Sequence, residues 1–296
     1  MNKEIKAVCF GEVLFDIFPN GERIGGAPLN VASRLSSLGI QTEMISSIGN
    51  DERGKKIISY LQDKNISTGN IQIKGEYQTG LVNVTLSASG SATYEIAHPA
   101  AWDKIEVTDA IKSSVSNSNV FIFGSLVCRD EKSKSTLIDL LEIARYKVFD
   151  INLRPPYYEK KLLIDLMEKA DFLKFNDDEL FEIAEMMDSK YNSLEQNLHF
   201  IAEKTNTKSI CVTKGRHGAV LLYNGECFYN SGYKIKVKDT VGAGDSFLAS
   251  LISGLFQGKG PQYSLDFACA MGALVAAEEG ANPIVSNAKI SEFMNI

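Results

Sequence analysis

Histidine is scarce in this chain of 296 residues: His98, His199 and His217 are the only three, which disfavours a metal centre built on several imidazoles. Cysteine is thin as well. Cys9, Cys128, Cys211, Cys227 and Cys269 are widely scattered, with no C-x-x-C pair and no zinc-type spacing along the chain. Several of them sit inside apolar runs, where a reduced cysteine behaves as a small hydrophobe. No apolar run reaches the roughly 18 residues of a membrane span. The N-terminus carries no long apolar region either, so a cytoplasmic protein with no membrane partner is expected. A basic stripe is also missing. The net charge of −6 disfavours a nucleic-acid partner, although a local site with a metal still suits an anionic nucleotide.

What the chain does contain is βα rhythm. Strand-like runs at Ile5 to Gly11, Met44 to Ile48, Val120 to Phe123, Lys147 to Ile151, Phe172 to Phe175 and Ser209 to Thr213 alternate with segments of helical periodicity. This pattern predicts an α/β fold with a mostly parallel sheet covered by helices on both faces, and ligands at the carboxyl ends of the strands. The length fits a single domain, 1–296. Between Ile71 and Ile96 several strand-like stretches follow one another without helices, with a hairpin turn expected at Ser87 to Ser91. A small β-sheet projecting from the main body is therefore expected, formed mainly by about 12–24 and 71–103.

The stretch Asp239-Thr240-Val241-Gly242-Ala243-Gly244-Asp245-Ser246-Phe247 is the most informative. Leu248, Leu251, Ile252, Leu255 and Phe256 follow at helical spacing, so Gly242 to Asp245 should open a helix. The first amides of a helix have no internal partner, and with the macrodipole they form an anion site. Beside a bound anion a carboxylate is repulsive unless it does chemistry, and accepting a proton from an attacking hydroxyl is the natural task for Asp245. The helix terminus should lower the pKa of Asp245 and make it a weak base. The plainer alternative is a turn with Asp245 as a helix cap.

Two other motifs fail on inspection. Gly49-Asn-Asp-Glu-Arg-Gly54-Lys55-Lys56 resembles a P-loop, but Lys56 stands where Ser or Thr should hold magnesium, and Asp51 and Glu52 would put negative charge in the cradle. Gly11-Glu12-Val13 lacks the later glycines of a dinucleotide fingerprint, which disfavours a dehydrogenase.

Gly25-Gly26-Ala27-Pro28-Leu29-Asn30-Val31-Ala32 together with Asp239 to Phe247 resembles the PfkB, or ribokinase-like, carbohydrate kinases, over essentially the whole chain. Gly11-Glu-Val-Leu-Phe-Asp16 and Pro99-Ala-Ala-Trp102-Asp103 bring it nearest to bacterial fructokinases. The resemblance implies a ribokinase-like fold in which the projecting sheet is a lid. It also implies an ATP-dependent kinase, with Asp245 as base and Gly242, Ala243 and Gly244 as the anion hole. Asp16, Gly25, Gly26 and Asn30 match sugar-binding positions; a turn residue at Asp16 and a helix-start residue at Asn30 are the competing readings. Asn176-Asp-Asp-Glu179 matches the N-x-x-E motif, with Asn176 near the nucleotide phosphates and Glu179 holding Mg²⁺ through water. The same four residues also read as a capping box.

Thr213, Lys214, Gly215 and Gly218 resemble the family's nucleotide loop, and Cys269, Ala273 and Asn282 fall where relatives line the adenine pocket. Asp239 and the backbone of Val241 match a monovalent-cation (K⁺) site, against which Ile284 replaces a frequent serine. Asp150-Ile-Asn152-Leu-Arg154 is the family's D-x-N-x-R segment, with Arg154 toward substrate. Thr93-Tyr94-Glu95 lacks the second arginine of keto-acid kinases, and Glu95 would repel a carboxylate. Fructose is thus the expected substrate, with ribose or 2-keto-3-deoxygluconate as alternatives and a silent sugar-binding protein as the reading from another class. The lid could also pair two subunits in a homodimer.

Overall fold

The computed structural model describes residues 4–19, 21–86 and 92–294. Nine strands form the large sheet: β1 (Lys6–Phe10), β4 (Gln41–Gly49), β5 (Ile71–Lys74), β8 (Val120–Gly124), β9 (Lys147–Asp150), β10 (Phe172–Asn176), β11 (Ser209–Thr213), β12 (Ala219–Tyr223) and β13 (Glu226–Asn230). Their order is β13-β12-β11-β10-β9-β8-β1-β4-β5. All pairings are parallel except β11–β12 and β12–β13. The chain runs outward from β1 to β4 and β5, then returns to β8 on the other side of β1 and proceeds the opposite way. That reversal opens a crevice at the carboxyl ends of the strands.

Alternation along each strand sends side chains to two cores. Val8 and Phe10 of β1 join one cluster with Phe121, Phe123, Phe149 and Phe175. In it Phe123 and Phe149 stack with centroids 4.9 Å apart. Helices α3 (Asp109–Asn117), α4 (Glu131–Leu141), α5 (Lys160–Lys169), α6 (Asp177–Met186) and α7 (Leu194–Thr205) cover this face through residues such as Ile111, Leu137, Leu163, Leu180 and Leu198. Ala7 and Cys9 point the other way, toward α1 (Ala27–Ser37), α2 (Glu52–Asp63), α8 (Ala243–Phe256) and α9 (Pro261–Ala276). A short α10 (Asn287–Met294) packs on α9 through Ile290, an addition to the two closing helices expected from the sequence. Helix α3, with only Ile111 and Val115 buried, was likewise not legible in the apolar pattern. Among the described residues no helix is long and apolar enough to cross a membrane.

The second sheet has the order β3-β2-β6-β7, from β2 (Leu14–Phe18), β3 (Gly21–Gly25), β6 (Gly80–Leu86) and β7 (Ala92–Ile96). The expected boundaries need one correction: Ile71–Lys74 belongs to the large sheet, pairing in parallel with β4 as Ser46 with Ile71 through Gly49 with Lys74. Its short alternating pattern suits any half-covered strand, and only the partner decides which sheet it joins. The turn expected at Ser87 to Ser91 lies outside the described residues. Pro99 is exposed, but Ala100 to Asp103 is buried, and there Arg129 stacks 3.9 Å over Trp102 and donates to both Asp103 oxygens at 2.7 and 2.8 Å. The motif Gly49 to Lys56 is a turn and helix cap: Asp51 accepts from the Gly54 and Thr79 amides at 2.8 and 2.9 Å.

Candidate active site

Helix α8 begins where the crevice opens. Gly242 is its N-cap at φ 73, and a Cβ there would fall 2.5 Å from the Ala281 carbonyl oxygen, so both conformation and space demand glycine. Residues Ser246 to Gly254 are buried, whereas Gly242, Ala243 and Asp245 are half-buried and Gly244 is exposed. The Ala243 amide donates to the Thr240 carbonyl at 3.2 Å, so among the described residues it is the Gly244 amide, on the exposed residue of the turn, that stands without a backbone partner. Buried Arg34 of α1 fixes that turn, its Nε donating to Ser246 Oγ at 3.1 Å and its Nη2 to the Pro283 carbonyl at 3.0 Å.

Asn30 lies within α1 rather than at its start. Its Nδ2 donates to Asp245 Oδ2 at 2.8 Å, and its Oδ1 accepts from Asn282 Nδ2 at 2.7 Å. Asn282 was expected in an adenine pocket; the geometry instead joins it to the Asn30–Asp245 pair. The expected lowering of the Asp245 pKa is also overturned. Burial, and then the charge of Asp150, push it up to about 6, against the lowering effects of Asn30, Lys174 and Arg154. Desolvation and a neighbouring carboxylate outweigh the helix terminus.

Asp16 on β2 faces Arg23 of β3, and a Cβ on Gly25 would come within 2.4 Å of Asp16 Oδ2. Gly26 caps α1 at φ 111, and its backbone passes so close to the Glu12 carbonyl that a Cβ would sit 2.4 Å from that oxygen. Burial raises Asp16 to about 6, with Arg154 opposing it. Arg154 itself is exposed and donates to the Leu153 carbonyl at 2.9 Å, its charge reaching Asp16, Glu12 and Asp245. Asp16, Arg154, Asn30 and Asp245 are thus brought to one place.

Three groups at this site drew no assignment from the sequence. Lys174 of β10 is buried on the α8 side of the sheet, and its Nζ donates to Asp150 Oδ1 at 2.9 Å from the neighbouring strand. The same ammonium lies 3.6 Å from where a Gly244 Cβ would stand, against the first turn of α8. The lysine inside Phe172-Leu-Lys-Phe175 was the available signal, since an apolar strand carries a charge only where a partner awaits it. Asp150 Oδ2 and Glu12 Oε2 are buried and have no hydrogen-bond partner among the described residues. Burial raises Glu12 to about 7, with Asp245 adding to the rise and Arg154 and the Ala27 amide opposing it.

Asn176 caps α6 and Glu179 completes the capping box, so the bland reading of that motif holds in full. Glu179 Oε2 accepts from the Asn176 amide at 2.8 Å and Oε1 from the Leu153 amide at 2.9 Å. Each oxygen keeps a lone pair, and Asp150 Oδ2 keeps both of its own. A hard divalent cation with retained waters fits this donor set. Thr213 ends β11 with its hydroxyl donating to the Phe175 carbonyl at 3.3 Å, and the Lys214 amide closes the loop onto Gly218 O at 2.8 Å. Gly215 is exposed at its tip. Lys214 also lies within electrostatic reach of Cys269 on α9, the helix that carries Ala273, so the loop and that helix share one side of the crevice.

Asp239 is already engaged. It accepts from the Val241 amide at 3.0 Å and the Gly280 amide at 3.1 Å, and Arg23 Nη1 approaches at 3.4 Å. That guanidinium shares the Asp239 carboxylate with the two amides, and Ile284 stands 90% exposed.

The family model "pfkB family carbohydrate kinase" matches residues 6–288. A probable fructokinase-7 from Arabidopsis thaliana is 28% identical over 316 aligned residues, covering 95% of this chain and 90% of the relative. The crystal structure of an uncharacterized sugar kinase from Pyrococcus horikoshii superposes with a TM-score of 0.81 at 25% identity, over 94% of this chain and 93% of that one. A fructokinase double mutant from Vibrio cholerae O395, crystallised with fructose, ADP and potassium ion, gives a TM-score of 0.86 at 22% identity over 99% of both chains.

Proposed function

Because the chain belongs to the pfkB family of carbohydrate kinases, we propose that it is an ATP-dependent fructokinase, transferring the terminal phosphoryl group of ATP to the primary hydroxyl of fructose. The observation that carries the chemistry is the placement of Asp245: one carboxylate oxygen is held by Asn30, at an accessible helix start with Lys174 beneath it. With its pKa near 6, Asp245 is ionised at neutral pH yet basic enough to take a hydroxyl proton late in a loose phosphoryl transfer. The first turn Gly242, Ala243 and Gly244, through its unpaired amides rather than that of Ala243, which donates to Thr240, and the Lys174 ammonium supply fixed positive potential where the phosphoryl group passes. Magnesium, when bound, neutralises charge on the phosphate chain, and Asp150 and Glu179 are the residues that would hold it.

Asp16, Asn30 and the backbone at Gly25 and Gly26 are the sugar-facing groups, with Asp16 held on a strand of the four-stranded sheet. That sheet acts as the lid, excluding water from the transfer, and its outer face pairs two subunits. Sedimentation of the protein as a monomer would remove the pairing role. Thr213, Lys214, Gly215 and Gly218, with Asn176, face the nucleotide.

An ADP-release assay over fructose, ribose, glucose and 2-keto-3-deoxygluconate tests the substrate. Fructose should give the highest kcat/KM. Fast turnover of ribose or the keto acid with fructose left untouched would reassign the specificity, and tight sugar binding with no turnover at all would make the chain a sugar-binding protein.

A further inference from the structure

A different set of groups meets at the far edge of the large sheet, with β11 and β12 between it and β10. Glu195 and His199 stand four residues apart on α7, so they share one helical face. That face meets edge strand β13 at Cys227. One ligand atom from each of the three residues lies within 4.8 Å of the other two. Linear spacing gave no hint of this, because 28 residues separate His199 from Cys227. Cys227 is also the exception among the cysteines: the other four are buried, whereas it is half-buried beside an exposed imidazole and an exposed carboxylate.

The distances suit a tetrahedral ion. Cys227 Sγ lies 3.8 Å from His199 Nε2. Zinc at its usual distances to thiolate and imidazole would set those two atoms about 3.6 Å apart. A partner already orients the third ligand: Tyr229, also on β13, donates from its hydroxyl to Glu195 Oε1 at 2.6 Å. This is the outer-shell support that fixes a carboxylate ligand before the metal arrives. Beside it lies a cavity of about 410 Å³ lined by Tyr191, Glu195, His199 and Phe200 among others, which gives water access to the Glu195 and His199 side of the cluster.

We propose that Glu195, His199 and Cys227 form a binding site for a divalent cation of the zinc class, which staples α7 to the edge strand β13. Thiolate, imidazole and carboxylate form a borderline-soft donor set, which favours zinc over magnesium or calcium. On binding, the Cys227 thiol gives its proton to solvent as the metal–sulfur bond forms.

The test is titration of chelator-treated protein with Co²⁺, followed by displacement with Zn²⁺. One equivalent should bind with a thiolate-to-cobalt charge-transfer band, and Zn²⁺ should abolish that band. Cys227→Ser should lose the band, and Tyr229→Phe should retain it with affinity reduced by about 10–100-fold. Zinc in large excess should raise the unfolding temperature of the wild type by about 2–4 °C or more and leave Cys227→Ser unmoved. Absence of the band in the wild type, or its persistence in Cys227→Ser, overturns the site. So does an equal zinc-induced shift in both proteins.

Discussion

Asn30 Nδ2 and Asp245 Oδ2 meet at 2.8 Å although 215 positions separate the two residues in the chain. The bond joins the third helical residue past Ala27 to the third residue of α8, and so links the proposed sugar-facing segment to the proposed base. Removing the amide should be visible in the pH profile. Asn30 lowers the Asp245 pKa, so in Asn30→Ala that pKa rises above about 6. At saturating sugar the acidic limb of kcat should move to higher pH. An unmoved limb would show that the bond does not tune the base.

Asp245→Asn should lose about 10²–10⁴-fold in kcat, the range of a general base, with nucleotide binding largely kept. The same variant should be more stable at neutral pH. A carboxyl whose folded pKa stands above its unfolded one holds its proton more tightly when folded. Its stabilisation is complete below the unfolded pKa and is lost as pH rises through about 6. Asparagine never ionises, so denaturation at pH 8 should show a gain of about 1–3 kcal/mol that fades below about pH 4. An equal effect at both pH values would contradict this origin.

Lys174→Met should act oppositely. It strips Asp150 of its 2.9 Å partner and leaves the carboxylates of Asp150 and Asp245 facing each other. Breaking a buried pair in this way costs about 3–5 kcal/mol. Urea denaturation would measure the loss, and the double variant Lys174→Met with Asp150→Leu should recover part of it. No recovery would mean that the lysine matters for packing alone.

Gly242→Ala should cost about 1–3 kcal/mol from the left-handed backbone, with further loss from the clash at Ala281. Because the proposed anion hole would be displaced, KM for ATP should rise and kcat fall while sugar affinity changes little. Steady-state kinetics with each substrate varied in turn would separate these effects.

Much of this was readable before any coordinates. The βα rhythm, the helix after Gly244 and the N-cap at Asn176 follow from local periodicity and capping chemistry, which act between residues close in sequence. Local pattern is silent where a long-range partner decides the outcome. Ile71–Lys74 fits a strand in either sheet until β4 claims it. The basicity of Asp245 depends on Asp150, Lys174 and burial, none of them its neighbours in sequence.

The sequence by itself determined where most helices start, α3 and α10 excepted, which faces are apolar, and which stretches carry family motifs, because propensity and periodicity are written in adjacent residues. Only the tertiary structure decided which charges face one another: Lys174 under Gly244, Asn282 against Asn30, and Cys227 beside His199. Electrostatic and coordination chemistry depend on distances of a few ångströms through space, and the chain order does not record those distances.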